Sequence, residues 1–202
     1  MKVSNRFTFA RVLFAPIFYI IFNLPVWLDS DVLKIISACI MIPSLVFFEL
    51  TDYWDGHYAR KYGEVSDFGK IFDPFADVIL NLTVFLCAVS AGYMPVALFV
   101  LIFYRDFCQN FLRMIAMGNG VAVAARMGGK IKTVFYIISG FLFVAFESFM
   151  RFNFTSVPPE VYENVKSVFG YSSLISFILC AVISWVSFAG YVRGLLPGRC
   201  EG

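Results

Sequence analysis

Six apolar stretches, each close to 20 residues long, restrict what this chain can fold into. They lie at 9–28, 33–54, 71–92, 94–117, 132–152 and 170–192. A helix needs about 20 apolar residues to cross the hydrocarbon core of a bilayer. Only 15% of the 202 residues are charged, whereas soluble domains carry about 25%. The sequence predicts an all-α integral membrane protein of six transmembrane helices that forms a single domain over residues 1–202.

The basic residues predict the orientation of these spans. Residues 2–8 precede the first span and predict a short N-terminal interfacial segment. With the N-terminus inside, 13 of the 16 Lys and Arg residues fall on the inner side, and the other three are Lys34, Arg151 and Lys166. By the positive-inside rule, both termini are expected to be cytoplasmic. We therefore expect a multi-pass protein of an inner or plasma membrane.

The remaining composition gives few functional signals. The five cysteines have no metal-binding or redox spacing and are expected to be small apolar fillers. A net charge of +2 gives no reason to expect a nucleic-acid partner.

Four aspartates lie at helical spacing around the junction of the second and third apolar stretches. Asp52 and Asp55 are three residues apart, and Asp73 and Asp77 are four apart, so each pair shares one helix face. Converging carboxylates repel one another unless a cation neutralises them. Hard divalent cations prefer such all-oxygen sites. The spacing predicts a metal site at the cytoplasmic end of spans two and three, which we expect to be antiparallel neighbours.

A weaker alternative is that the aspartates only form ion pairs with the basic residues at this helix end, which are Arg60, Lys61 and Lys70. Ion pairing would require neither the regular spacing nor the small residues Gly56 and Ala59, which would let a ligand approach the backbone closely. His57 is expected to be a bystander because it faces another side of the helix.

The segment 52–77 resembles the signature of the CDP-alcohol phosphatidyltransferase family, D-x-x-D-G-x-x-A-R-x8-G-x3-D-x3-D. All eight fixed positions are met, and they are Asp52, Asp55, Gly56, Ala59, Arg60, Gly69, Asp73 and Asp77. The resemblance implies two divalent cations, Mg²⁺ or Mn²⁺, held by the four aspartates. It also implies a nucleotide site formed by Asp55, Gly56, Ala59, Arg60 and Gly69. Asp77 would be the catalytic general base.

The same resemblance implies the substrates and partners. CDP-diacylglycerol would donate its phosphatidyl group to an alcohol, and CMP would leave. Membrane lipids would surround the protein, and a second copy of the chain could form a homodimer, as is frequent in the family.

Basic residues near the metal end predict an acceptor that has its own phosphate. The candidates are Arg105, Arg113, Lys130 and Lys132. Arg105 and Arg113 are about two helical turns apart, so we expect them on one face. The alternative is that these cations only bind anionic lipid headgroups. The position of Arg105 inside an apolar run favours the phosphate site.

The chain looks most like the phosphatidylglycerophosphate synthase branch of the family, whose acceptor is sn-glycerol 3-phosphate. Supporting residues would be Asn5, Thr8 and Arg11, which match the N-x-x-T-x-x-R opening of that branch, and Arg126. Two positions depart from it: Val78 replaces a common Lys, and Tyr136 lies near an expected Gln. Inositol phosphate, inositol or serine therefore stay open as acceptors, as does CDP-choline or CDP-ethanolamine reacting with diacylglycerol.

Two classes of protein without this activity compete with the enzyme. An ion transporter would place acids near the bilayer midplane and show repeated halves, whereas these acids cluster at one interface. An inactive membrane scaffold would have no need for all four aspartates.

Overall fold

The computed structural model describes the backbone of residues 3–61, 67–118, 127–152 and 159–195, and it leaves undescribed the side chains of 3–7, 52–61, 67–68, 70, 127–128, 159 and 194–195. These parts form six helices: α1 (Val3–Trp27), α2 (Asp31–Lys61), α3 (Asp67–Ser90), α4 (Val96–Gly118), α5 (Met127–Arg151) and α6 (Pro159–Leu195). No strand occurs within these ranges. The predicted all-α architecture with six long helices is confirmed.

Five of the six helices contain a stretch long and apolar enough to cross a membrane. The exception among the described helices is α4, whose sequence includes Arg105, Asp106 and Arg113. At 23 residues, α4 is still about 34 Å long, which matches the hydrocarbon thickness of about 30 Å. Arg105 and Asp106 are each 1% exposed, so neighbouring helices shield these charges from lipid.

The helices form a closed ring. In the described residues, α1 packs against α2 and α3, α5 against α2 and α6, and α4 against α3 and α6; α3 and α5 also pack across the centre. The helices alternate in direction, as the contacts between their ends show. The helices α1, α3 and α5 thus begin at one end, called here the aspartate end. The other end of the bundle is called the opposite end.

Three details differ from the sequence predictions. The helices α2 and α3 are not among the packed pairs of the described residues, because α1 packs against both of them. Residues 3–8 belong to the first turns of α1 and do not form a separate element. The sixth helix begins at Pro159, eleven residues before the predicted span, in the stretch expected to be a loop. Proline is favoured in a first helical turn, where its missing N–H removes no hydrogen bond.

The core is a column of aromatic rings at the centre of the ring of helices. The ring centroids of Phe22 and Phe143 are 5.6 Å apart, and those of Phe85 and Phe177 are 5.1 Å apart, in the range favoured for aromatic pairs. Gly140 is buried where α5 crosses α3, and a Cβ there would lie 3.2 Å from Val84 Cγ1. The absent side chain lets the two central helices approach closely, as is typical of helices in membranes.

Candidate active site

Two of the predicted metal ligands lie on one face of α3, next to α1. Asp73 Oδ1 accepts a hydrogen bond of 2.6 Å from Thr8 Oγ1. One turn later, Asp77 Oδ1 accepts a hydrogen bond from Arg11 Nη1 in an ion pair. Thr8 and Arg11 are buried at 0% and 1% exposure, whereas the Asp77 side chain is 34% exposed. The two residues of α1 thus fix the positions of both carboxylates.

The other half of the predicted metal and nucleotide site lies outside the described side chains. Residues 52–61 continue α2 as a regular helix, but the side chains of Asp52, Asp55 and Arg60 are not described, nor are the surroundings of Gly56 and Ala59. Gly69, in the first turns of α3, is buried. The described residues contain no group of three or more potential metal ligands, since they include only two of the four aspartates.

The two described carboxylates fit a hard divalent cation by their chemistry. Both offer oxygen atoms from successive turns of a single helix, and Asp77 remains partly accessible. Carboxylate oxygens are the ligands that Mg²⁺ and Mn²⁺ prefer. The hydrogen bonds from Thr8 and Arg11 each occupy one oxygen and resemble the supporting contacts that orient metal ligands in proteins.

A cavity of about 210 Å³ lies beside Asp77, between α3, α4, α5 and α6. Its wall includes the four cations predicted to bind an acceptor phosphate: Arg105, Arg113, Lys130 and Lys132. Drug-sized ligands occupy pockets of about 300–1,000 Å³, so this smaller cavity suits a small polar molecule. The structure therefore brings the predicted catalytic carboxylate and the predicted acceptor cations to one space.

The cations of the cavity differ in burial. Arg105 is 1% exposed and Lys132 is 8% exposed, and both contact Asp106, which is itself 1% exposed. Asp106 Oδ1 accepts hydrogen bonds from Arg105 Nη1 at 2.6 Å and from Lys132 Nζ at 2.8 Å. Lys130 is exposed and Arg113 is half-buried. Two of the four cations are thus held in a fixed ion cluster.

Of the predicted supporting residues, Thr8 and Arg11 contact the aspartates. The Asn5 side chain and the whole of Arg126 lie outside the described residues. Sequence reasoning gave no role to Asp106, although the adjacent charges of Arg105 and Asp106 inside an apolar run were a signal that both are buried.

The two positions that depart from the family branch both line the cavity. Val78 is part of the α3 wall, and the ring of Tyr136 lies under Lys132, with Nζ 4.4 Å from the ring centroid. Tyr136 also donates a hydrogen bond of 2.9 Å to Ser184 Oγ on α6. An ammonium over an aromatic face is attracted to it, so Tyr136 contributes to the placement of Lys132.

Comparisons with known proteins show which family the chain resembles. A family model described as CDP-alcohol phosphatidyltransferase matches residues 1–189. The chain is 34% identical to a CDP-diacylglycerol–glycerol-3-phosphate 3-phosphatidyltransferase of Treponema pallidum over 202 aligned residues, covering 98% of this chain and 90% of the relative. It is 36% identical to the Bacillus subtilis protein of the same name over 144 residues, covering 68% of this chain and 74% of the relative.

The family match covers all six helices nearly to the end of α6, and it includes both the eight-residue signature and the cations of the cavity. The chain therefore belongs to the CDP-alcohol phosphatidyltransferase family.

Proposed function

We propose that this protein transfers the phosphatidyl group of CDP-diacylglycerol to sn-glycerol 3-phosphate, giving phosphatidylglycerophosphate and CMP. The acceptor's hydroxyl oxygen forms a bond to the phosphorus attached to diacylglycerol, and the bond from that phosphorus to the CMP oxygen breaks. The hydroxyl proton passes to a carboxylate, for which Asp77 is the candidate. Membership of the family makes the chain a phosphatidyltransferase and sets aside the transporter alternative.

The observation that supports a phosphorylated acceptor is the charge of the cavity beside Asp77. Four cations and the carboxylates of Asp77 and Asp106 give its wall a formal charge of +2. A phosphate monoester has a charge near −2 at pH 7 and would balance it. Inositol has no charge, and serine has none overall, so either would leave the buried cations uncompensated. Among phosphorylated acceptors, glycerol 3-phosphate is supported by the relatives' names, which include it.

Burial argues against the alternative that these cations only anchor lipid headgroups. A residue that binds the membrane surface keeps its charge accessible at that surface. Arg105 is 1% exposed and Lys132 is 8% exposed, and both lie inside the bundle next to the cavity. Lys130, which is exposed, fits either role.

The proposed metal site consists of Asp52, Asp55, Asp73 and Asp77. When bound there, Mg²⁺ or Mn²⁺ would neutralise the pyrophosphate and the charge that develops on the attacking and leaving oxygens. The chain's own residues have separate tasks. Thr8 and Arg11 hold two of the carboxylates in place. The α2 segment with Gly56, Ala59 and Arg60 is proposed, with Asp55 and Gly69, to bind the nucleotide.

The proposed location follows from the charge distribution. Of the 16 Lys and Arg residues, 13 fall on the predicted inner side, which is also the side of the aspartates. We therefore place the aspartate end and both termini at the cytoplasmic face of an inner or plasma membrane. Glycerol 3-phosphate, a soluble anion, would then enter the cavity from the cytoplasm. The lipid donor would approach from the bilayer around the helices.

The direct test is CMP release by the purified protein with CDP-diacylglycerol and Mg²⁺ or Mn²⁺. A panel of acceptors would contain glycerol 3-phosphate, inositol phosphate, inositol and serine. We expect metal-dependent release that requires glycerol 3-phosphate and stops when the metal is chelated. CDP-choline with diacylglycerol serves as the alternative donor pair.

Each other outcome identifies what is wrong. Release that requires inositol phosphate would keep the cation site and overturn the acceptor. Release with inositol or serine would overturn the phosphate site. Release only from CDP-choline would overturn the lipid donor. No release from folded protein with any pair would overturn the proposed reaction and favour an inactive scaffold.

A further inference from the structure

Asp106 is a buried carboxylate that neither the family signature nor the proposed reaction uses. Its Oδ1 accepts hydrogen bonds from Arg105 on its own helix and from Lys132 on α5. Its Oδ2 is buried and has no hydrogen-bond partner among the described residues. An acid beside a phosphate site repels the ligand, so its presence needs a physical reason.

Asp106 connects two helices across the cavity. Asp106 belongs to α4 and Lys132 to α5, and these two helices are not among the packed pairs of the described residues. They lie on different sides of the cavity, and both contribute to its wall. The ion pair of 2.8 Å between Asp106 and Lys132 therefore links directly two helices that, in the packing of the described residues, otherwise meet only through their shared neighbours α3 and α6.

Arg105 and Lys132 also need a counter-charge. Both donate to the same oxygen atom, so the two cations are close together and buried, where repulsion between like charges is strong. Arg105 keeps two further nitrogen atoms, Nε and Nη2, that are buried without a hydrogen-bond partner among the described residues. Leaving such donors unpaired is costly, and an anion in the adjacent cavity would satisfy them.

We propose that Asp106 is a positioning residue that holds Arg105 and Lys132 as a fixed pair of phosphate-binding cations. One carboxylate oxygen sets the separation of the two cations, and their remaining N–H groups face the acceptor's phosphate. This proposal rests on the proposed function, since it assumes a phosphorylated acceptor in the cavity. Asp106 would act through the two cations without touching the substrate.

The variant Asp106→Asn distinguishes a positioning role from a simple electrostatic one, because the two roles predict changes of opposite sign in the KM for glycerol 3-phosphate. Removing a negative charge beside two cations makes the cavity more positive, so electrostatics alone predicts tighter binding of a phosphorylated acceptor. Positioning predicts weaker binding, because the amide no longer neutralises the pair and the cations move apart. The sign of the change in KM for glycerol 3-phosphate distinguishes them.

The experiment measures CMP release by wild-type protein and Asp106→Asn while each substrate is varied in turn. We expect the KM for glycerol 3-phosphate to rise about tenfold, as for the loss of one charge-assisted contact. The KM for CDP-diacylglycerol should stay within about twofold. Asp106→Glu, which restores the carboxylate, should recover part of the loss.

The matched control is Glu147→Gln. Glu147 is half-buried and, like Asp106, is paired with an arginine, but it lies on α5 at the end away from Lys132. It should change thermal stability and leave both KM values unchanged. An unchanged or lower KM for glycerol 3-phosphate in Asp106→Asn would overturn the proposal. So would an equal rise in both KM values, which is the result of a merely structural role.

A second pair of variants covers the case in which Asp106→Asn does not fold. This pair consists of Arg105→Met and the double variant Arg105→Met/Asp106→Asn, which differ only at Asp106. The double variant removes one buried positive and one buried negative charge together, so it leaves Arg105 out of the count of unpaired buried charges. The proposal expects the second change to raise the acceptor's KM about threefold through Lys132; no rise would overturn it. If wild-type protein shows no glycerol 3-phosphate-dependent release, the proposed function itself fails, which is seen before any variant is compared.

Discussion

Two of the arginines that the bundle buries are held in different ways, Arg105 in α4 and Arg151 at the end of α5. Both are nearly inaccessible, at 1% and 7% exposure. Each contacts an acid, Asp106 and Glu147 respectively. Lys132, the other cation that binds Asp106, is 19 residues from Arg151 along α5, which is about 28 Å of helix. The two ion clusters therefore lie near different ends of the molecule.

Arg151 is surrounded by protein partners. Its Nε donates to Glu147 Oε1 at 2.9 Å and its Nη1 to Ser37 Oγ at 2.7 Å. Its guanidinium lies 4.4 Å from the centroid of Phe22. Nearby, burial and then the Glu147 carboxylate raise the pKa of Tyr93, so the phenol stays neutral. The protein itself uses this arginine to join α2, α5 and α1.

Arg105 has fewer partners and more space beside it. It donates to Asp106 from Nη1, whereas its Nε and Nη2 have no partner among the described residues. It also lines the cavity that Asp77 lines. A buried arginine that donates to side chains of two helices stabilises the fold, and one with unpaired buried donors next to a cavity is suited to bind an anion. The comparison thus separates a structural cation from a ligand-binding one.

The largest expected effect is the loss of turnover in Asp77→Asn, at the aspartate end. The amide cannot accept the acceptor's proton, and general-base catalysis contributes about 10²–10⁴-fold to a rate. We expect kcat for CMP release to fall at least about 100-fold, while some binding of CDP-diacylglycerol remains. Steady-state kinetics and a lipid-binding assay measure the two quantities. Full activity would remove Asp77 from the role of base.

The sequence predicted the shared helix face of Asp73 and Asp77 correctly, but it did not predict which helix packs against that face. The spacing of Asp73 and Asp77 defines one face of a helix whatever surrounds it, and α3 presents both carboxylates to α1. Local periodicity does not determine which helix lies beside another, so no pattern in the sequence indicated that α1 would pack against both α2 and α3. Supporting contacts such as Arg11 with Asp77 depend on that packing.

The cavity too could be predicted only in part, because its contacts depend on how the helices pack. Arg105 and Lys132 were recognisable as charges in apolar surroundings, and the structure places both at one cavity. That they share a single oxygen of Asp106 depends on the distance between α4 and α5, which no pattern within either helix specifies. The start of α6 at Pro159 was missed because a polar helical extension has no apolar run to mark it.

The next largest effect is expected for Arg105→Met, which tests the ligand-binding side of the comparison. Losing a charge-assisted hydrogen bond to a phosphate costs about 1.5–3 kcal/mol. The KM for glycerol 3-phosphate should therefore rise at least about tenfold, more than the KM for CDP-diacylglycerol. Kinetics with each substrate varied in turn provide the measurement. Equal changes in both KM values would make Arg105 a structural cation like Arg151.

Arg151→Met tests the structural side. Removing one partner of a buried ion pair costs about 3–5 kcal/mol because the other charge is left uncompensated. We expect at least part of this lost stability to appear as a lower midpoint of thermal unfolding for the purified variant. Both KM values should stay the same, because Arg151 does not line the cavity beside Asp77. A selective rise in the acceptor's KM would show that the two ends of α5 are coupled and that Arg151 is not a purely structural cation.

Tyr136→Phe is expected to have the smallest effect and sharpens the distinction within the cavity wall. The substitution keeps the aromatic ring under Lys132 and removes only the hydroxyl that donates to Ser184. Hydrogen bonds between helices in membranes average about 0.6 kcal/mol, so stability should fall slightly. The acceptor's KM should change less than about threefold, because the ring is the part of Tyr136 that contacts the cation.

Tyr136→Leu, which removes the ring as well, is the matched variant, and it should raise that KM further. If Phe and Leu raise the KM equally, the hydroxyl matters to the acceptor and the ring does not, and Lys132 is then placed by Asp106 alone.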